Sequence, residues 1–240
     1  GAIDEKETHF IERVTTDQGR TATEYAVTIK NILEMHEISP REIEGAILSS
    51  VVPPLNATIL SAVKKVLGIR PLLVGPGIKT GINILMDNPK TVGSDMIVDA
   101  VAATHEHPLP LVAIDMGTAT TMSVVDQKGN YVGGVILPGL KVSLDSLSGK
   151  TAQLPYISLE LPEKVIGKNT IDCMRAGIIF SNVDMIDGIL DRMERELGEP
   201  ATAVATGGLA RFITPLCRHK IHYDDALLLK GLLILYRKNA

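Results

Sequence analysis

The stretch Asp115-Met116-Gly117-Thr118-Ala119-Thr120-Thr121 decides the fold, because of what stands on either side of it. Residues 111–114 lead in and 122–125 lead out, both apolar and β-branched enough to predict strands. A carboxylate ends the first strand, a glycine opens the turn, and three threonines follow. These are the parts of a phosphate-and-cation site, in which the aspartate holds a metal and hydroxyls and turn N–H groups take phosphate oxygens. A P-loop runs from a strand through a glycine loop and Lys-Ser/Thr into a helix. Here a strand follows the loop and the lysine is missing, so a phosphate would lie over a β-hairpin rather than on a helix N-terminus.

Working outward, residues 131–137 predict a third strand, joined to the second by a Gly129-Asn130 turn, and a helix follows from about 139 to 148. Beyond a loop through Pro155 and Pro162, residues 169–197 carry Ile171, Met174, Ile178, Ile179, Val183, Ile186, Leu190 and Met193 at helical spacing. Asn169 or Thr170 supplies the N-cap. Residues 201–205 form a short strand ending in Thr206-Gly207-Gly208, residues 222–224 close the sheet, and 226–237 form a terminal helix. The order β-β-β-α-α-β-α-(β)-α is that of a ribonuclease-H-like half.

The first half repeats this order without its beginning. Strands are expected at 8–16, 45–52 and 71–75, with helices at 23–36, 56–67 and 96–105. If the halves are repeats, about 15 residues of strand and loop, carrying a second Asp-x-Gly turn, belong before Gly1. The expected fold class is therefore α/β. Two ribonuclease-H-like (actin-like ATPase) halves, 1–108 and 109–240, surround a cleft, and the first lacks its first strand.

At 240 residues the chain is long enough for two small domains and a sizeable core. A net charge of -4 and 3% aromatic residues speak against a nucleic-acid surface, which needs a basic excess and stacking platforms. No apolar run approaches the ~18 residues of a membrane span, and no signal peptide leads the chain. Cys173 and Cys217 are too few for a disulfide framework, which makes a reducing cytoplasm the expected compartment.

Six ordered runs together resemble the type III pantothenate kinases, members of the acetate and sugar kinase/Hsp70/actin superfamily, along nearly the whole chain. They are Ser49-Ser50-Val51-Val52-Pro53-Pro54-Leu55-Asn56, Val74-Gly75-Pro76-Gly77-Ile78-Lys79-Thr80-Gly81, residues 115–121, Gly133-Gly134-Val135-Ile136-Leu137-Pro138-Gly139, Val165-Ile166-Gly167-Lys168-Asn169-Thr170 and Ala205-Thr206-Gly207-Gly208-Leu209-Ala210. The resemblance implies ATP-dependent phosphorylation of pantothenate, the first step toward coenzyme A, in a cytoplasmic homodimer that uses magnesium and a monovalent cation, potassium or ammonium.

Carried over residue by residue, the resemblance makes Asp95, in Val92-Gly93-Ser94-Asp95, the catalytic residue and Asp115 the cation ligand. Gly117, Thr118, Thr120, Thr121, Gly207 and Gly208 become the nucleotide-binding set. Gly93, Ser94, Asp95, Met96, Met86 and Thr170 become the pantothenate-binding set. Three departures stand out. Met96 follows Asp95 where the family usually has arginine, Met86 stands where a tyrosine usually borders the pantothenate pocket, and the amino-terminal Asp-x-Gly-Asn-Thr-Asn loop is absent. A thioether replaces a carboxylate-binding guanidinium poorly. Two alternatives therefore stand beside pantothenate kinase: a kinase of another small hydroxy acid, and a non-catalytic regulator of the Bvg accessory factor kind on the same scaffold.

Plainer roles compete at each position. Gly93-Ser94-Asp95 has the composition of a helix cap, Asp115 that of a turn aspartate, and Met86 and Met96 that of irregular core filling. His105 and His107, before Pro108 and Pro110, read as an exposed connection. Asp99 reads as a solvated or cleft-lining helix residue, and residues 191–196 as a solvated helix face. Cys217, His219 and His222 lack the fourth ligand of a closed zinc site.

Overall fold

The computed structural model describes residues 1–240 and divides into two compact units. One comprises Gly1–Gly81, Asn88–Ala102 and Ala226–Ala240, and the other Ile82–Asp87 and Ala103–Asp225.

The second unit is built on six strands in the order β10-β9-β6-β7-β8-β5. Strands β6 (Leu111–Met116), β7 (Ala119–Val125) and β8 (Asn130–Pro138) form an antiparallel meander, and β9 (Thr202–Thr206) and β10 (Ile221–Tyr223) run parallel to β6. This is the ribonuclease-H-like order expected for 109–240, with one addition. β5 (Asn83–Ile84) pairs in parallel with the outer edge of β8. Val112, Ile114 and Met116 of β6 share a face with Met122 and Val124 of β7 and with Ala203 and Ala205 of β9. Against that face pack α4 (Leu140–Lys150) and the 28-residue α5 (Thr170–Leu197).

Asn169 caps α5 by accepting the Asp172 N–H at 2.9 Å, and Gly198, at φ +80°, ends it. Of the eight apolar positions that announce this helix, seven are buried in the unit's own core and only Ile171, at 41%, is exposed. The apolar stripe is thus accounted for inside one chain. Ile186 and Leu190, at 0% and 1%, each contribute about 1.5–3 kcal/mol by burial.

The first unit has less sheet. β1 (Ala2–Ile3) pairs antiparallel with β2 (Thr8–Phe10), and β3 (Ile47–Leu48) in parallel with β4 (Leu72–Leu73). The strands expected over 8–16, 45–52 and 71–75 shrink to these cores, because ladder pairing extends over only two or three residues of each. Helices carry the unit. In α1 (Ala22–Met35) Thr21 and Glu24 form a reciprocal capping box. Tyr25 and Ala26 of α1 pack on Leu55 and on Ala62 of α2 (Asn56–Leu67).

The helix expected over 96–105 begins two residues earlier, as α3 (Ser94–Glu106). The terminal helix α7 (Leu227–Asn239) lies on it so closely that a Cβ on Gly231 would strike the Val98 carbonyl. α7 therefore belongs to the first unit, although it ends the second half of the sequence.

Candidate functional site

The seven-residue loop expected at 115–121 is a two-residue turn. Asp115 and Met116 finish β6, Gly117 and Thr118 make the reversal, and Ala119, Thr120 and Thr121 already belong to β7. Threonine is a strong strand former, and all three of these positions find ladder partners. Gly117 N–H donates to the Ala119 carbonyl at 3.0 Å, and Gly139 N–H donates to the Thr118 carbonyl at 3.1 Å. Gly139 is held so tightly that a side chain there would meet the carbonyls of both Gly117 and Thr118.

Strand alternation then sorts the threonines. Asp115 lies opposite Thr121 on β7 and opposite Thr206 on β9, so the three share one face across adjacent strands. Asp115 and Thr121 are half-buried and Thr206 is 4% exposed. Thr120 stands beside Met116 and Leu137 on the opposite face, fully buried, with its hydroxyl oxygen unpartnered. Gly117 and Thr118 are exposed.

One carboxylate with two hydroxyls about 4.8 Å to either side is a hard, all-oxygen donor set, which suits an alkali or alkaline-earth cation. Thr206 joins this set only through the parallel β6–β9 register. Sequence reading singled out its neighbours Gly207 and Gly208 and passed over it.

Gly207 has φ +98°, and a side chain there would run into the main chain of Met116 at 2.6–2.8 Å. Contact with β6 therefore already demands glycine at this position. Ala210 N–H closes the turn on the Gly207 carbonyl at 3.1 Å, and Gly208 sits half-buried between that turn and α6 (Ala210–Ile213).

In the first unit Asp95 occupies the first turn of α3, half-buried. Its Oδ1 accepts the Met96 N–H at 2.8 Å. Ser94 does not cap the helix. Its hydroxyl donates to the Ser50 carbonyl at 3.2 Å and accepts the Ser49 hydroxyl at 2.8 Å, which ties the start of α3 to the 49–52 loop. Gly93 leaves room beside it for the Asp95 carboxylate, since a Cβ there would lie 2.5 Å from Asp95 Oδ1. Ser49 and Ser50 lie 45 and 44 residues before Ser94, and no local pattern announces the pairing.

Met96 is 8% exposed and belongs to the core. Asp99, expected at a solvated or cleft-lining position, is buried at 3% because it follows Met96 into the packed side of the helix. Met86, in the second unit, is half-buried, with its sulfur 3.8 Å from where a Cβ on Gly133 would be. Thr170 is exposed at the first position of α5, and Gly167 before it rests on the Asp172–Cys173 main chain.

Residues 191–196 are not simply a solvated face. Asp191 and Glu194 turn toward His219, which hydrogen-bonds to the buried Asp187. Cys217 is half-buried, and its thiol is pushed up to about 12 by burial and by the nearby Asp187 and Asp184. A thiol held in this form is a poor nucleophile, and its Sγ lies 3.5 Å from the Ile213 carbonyl. Cys173 is exposed and free, and no helix is long and apolar enough to cross a membrane.

The family model for type III pantothenate kinase matches residues 1–192. A type III pantothenate kinase of an Exiguobacterium strain is 44% identical over 227 residues, covering 95% of this chain and 89% of its own length. Those of Listeria welshimeri and Listeria monocytogenes are each 43% identical over 227 residues, covering 95% of this chain and 88% of their own lengths. Among solved structures, a conserved Baf family protein from Campylobacter jejuni shares the fold, with a TM-score of 0.57 at 18% identity and 87% of each chain covered. Four tenths or more of the residues coincide with those relatives across almost the full length, and on that ground the chain belongs to the type III pantothenate kinase family.

Proposed function

We propose that this chain is a phosphotransferase that moves the γ-phosphoryl group of ATP to the hydroxyl of pantothenate, the first step of coenzyme A biosynthesis. The observation that carries the reading is the 43–44% identity over 95% of the chain to enzymes of that name. The geometry supports it with two carboxylates, each held in a form suited to one task.

In the first unit Asp95 is assigned to the acceptor hydroxyl. With Oδ1 engaged by the Met96 N–H, its second oxygen orients the hydroxyl and takes its proton as the phosphoryl bond forms. Gly93 and Ser94 shape that turn.

In the second unit Asp115, with Thr121 and Thr206, is assigned to a monovalent cation, potassium or ammonium. Gly117, Thr118 and Thr121 are assigned to the phosphates, and Gly207 and Gly208 to the adenosine. Bound MgATP supplies the phosphoryl group and spreads its charge. Asp115 keeps the local potential negative enough to retain a cation, while the hydroxyls orient phosphate oxygens. Thr120, facing the core, contributes through packing.

Two further assignments are carried from the sequence, the first from the order of its elements and the second from the resemblance. The division into repeats 1–108 and 109–240 is one. The other is a cytoplasmic homodimer, for which the exposed Tyr156, Leu161, Val165 and Ile166 at 53–82% offer an apolar surface before α5.

Incubation of the purified protein with ATP, magnesium, potassium and pantothenate, read by mass spectrometry, is expected to yield 4'-phosphopantothenate. Nucleotide binding without any phosphorylated product would overturn the reading in favour of a non-catalytic regulator. Product from another small hydroxy acid but not from pantothenate would keep the kinase and replace its substrate.

A further inference from the structure

The seven residues that precede β10 carry His219 onto the C-terminal half of α5, where Asp187, Asp191 and Glu194 follow one another at i, i+4 and i+7 along one face. Asp187 is 2% exposed and accepts three hydrogen bonds. Its Oδ1 takes the His219 N–H at 3.1 Å and His219 Nδ1 at 2.8 Å, and its Oδ2 takes the Arg218 N–H at 2.8 Å. With Nδ1 turned to Asp187, the ring of His219 presents Nε2 on its far side.

Nε2 faces Asp191 Oδ1 at 3.3 Å and Glu194 Oε2 at 3.7 Å. Each carboxylate has its other oxygen tied back: Asp191 Oδ2 by Arg218 Nη2 at 3.0 Å, and Glu194 Oε1 by the Ala201 N–H at 3.0 Å. Three ligand-type atoms therefore converge, with Asp191 and Glu194 held from behind by Arg218 and Ala201, and His219 by Asp187. A histidine whose other ring nitrogen is bonded to a carboxylate is the usual form of a metal-ligating imidazole.

We propose that Asp191, Glu194 and His219 form a binding site for a divalent first-row transition ion of the zinc class, with Asp187 as the residue that positions His219. One imidazole and two carboxylates make a borderline N/O set of that preference. The three ligand atoms lie within 4.8 Å of one another, so small side-chain rotations bring them to bonding distance around one ion. Three protein ligands would leave a coordination position open, and Asp191 and Glu194 border a cavity of about 580 Å³ together with Arg195, Gly198, Glu199 and Pro200. The ion would clip the end of α5 to the connection between β9 and β10. The site lies wholly within the second unit and shares no residue with the kinase assignment, so either can fail alone.

Zinc titrated calorimetrically into the tag-free, chelator-treated full chain is expected to bind once and to raise the melting temperature. His219→Gln is expected to abolish both effects. Asp187→Asn, which leaves all three ligands in place, is expected to weaken binding about 10–100-fold. Cobalt in place of zinc should give a spectrum without a thiolate charge-transfer band, which keeps Cys173 out of the site. Absence of zinc binding by the native chain, equal binding by His219→Gln, or a thiolate band would each overturn the proposal. So would nitrogen-15 spectra showing His219 protonated on both ring nitrogens in the presence of zinc, since the ion pair would then need no metal.

Discussion

Asp115 and Asp95 are both half-buried carboxylates beside a glycine, yet the chain holds them by opposite means. Asp115 sits inside a ladder, with Thr206 on one side and Thr121 on the other, on the central strand of six. Asp95 has no such frame. It rides in the first turn of α3, which is fixed to the 49–52 loop through hydroxyls of Ser94 and Ser49. A strand-held carboxylate has oxygen neighbours at fixed spacing, as a static ion requires. A carboxylate at a helix start has an open flank, as a group that must meet a moving hydroxyl requires.

The largest effect that could break this contrast is at Asp95. Asp95→Asn keeps the shape and loses the ability to take a proton, so kcat is expected to fall ~10²–10⁴-fold with nucleotide binding nearly intact. Asp115→Asn is expected to act the other way. It should weaken nucleotide binding and the response to potassium by about 10–100-fold, the equivalent of one charge-assisted contact of ~1.5–3 kcal/mol. Steady-state kinetics across a potassium series separates the two. If both variants lose only substrate affinity, the division of labour is wrong.

The next effect is at Met96. Because its side chain is 8% exposed, Met96→Leu is expected to cost less than ~1.5 kcal/mol of stability and to leave the KM for pantothenate unchanged. Met96→Arg is expected to destabilise more strongly, since it buries an unpaired guanidinium. Thermal unfolding and pantothenate titration of both variants check this. Tighter pantothenate binding by Met96→Arg at an unchanged melting temperature would show that the side chain reaches substrate after all, and would make position 96 part of the pantothenate site.

The same contrast governs what the sequence made legible. In the second unit the meander, α5 and the order of strands follow from continuous apolar runs and a strong helical period. The turn is misread, since threonines taken for loop hydroxyls are strand residues, as is the 191–196 face, which turns Asp191 and Glu194 toward His219. In the first unit, 56–67 is matched residue for residue by α2, because a helix makes its hydrogen bonds within its own segment. The strands at 8–16, 45–52 and 71–75 fell short because a ladder needs a partner, and apolar content does not say how far one extends. Asp115 stands out through the composition of its own loop, and Asp95 only through the resemblance. Thr206, Ser49 and the His219 cluster could not be found in the sequence, because each becomes visible only once distant segments are paired.

The smallest effect sharpens the strand-held half of the comparison. Thr120 and Thr121 are neighbours of identical chemistry, separated only by the alternation of β7. Thr121 stands beside Asp115, whereas Thr120 is fully buried with an unpartnered hydroxyl on the opposite face. A buried hydroxyl without a partner forfeits its hydration for nothing, so Thr120→Val, nearly the same shape without the oxygen, is expected to be neutral or to stabilise by about 1 kcal/mol. Nucleotide affinity should not change. Thr121→Val removes one oxygen from the donor set around Asp115, and is expected to weaken nucleotide binding by ~0.5–1.5 kcal/mol, about 2–12-fold, with little change in melting temperature. Equilibrium binding and thermal unfolding of the two variants side by side therefore read the face assignment directly. Should Thr120→Val lose affinity and Thr121→Val keep it, Asp115 would not share its face with the phosphate contacts, and the ladder would be a frame for the fold rather than for the site.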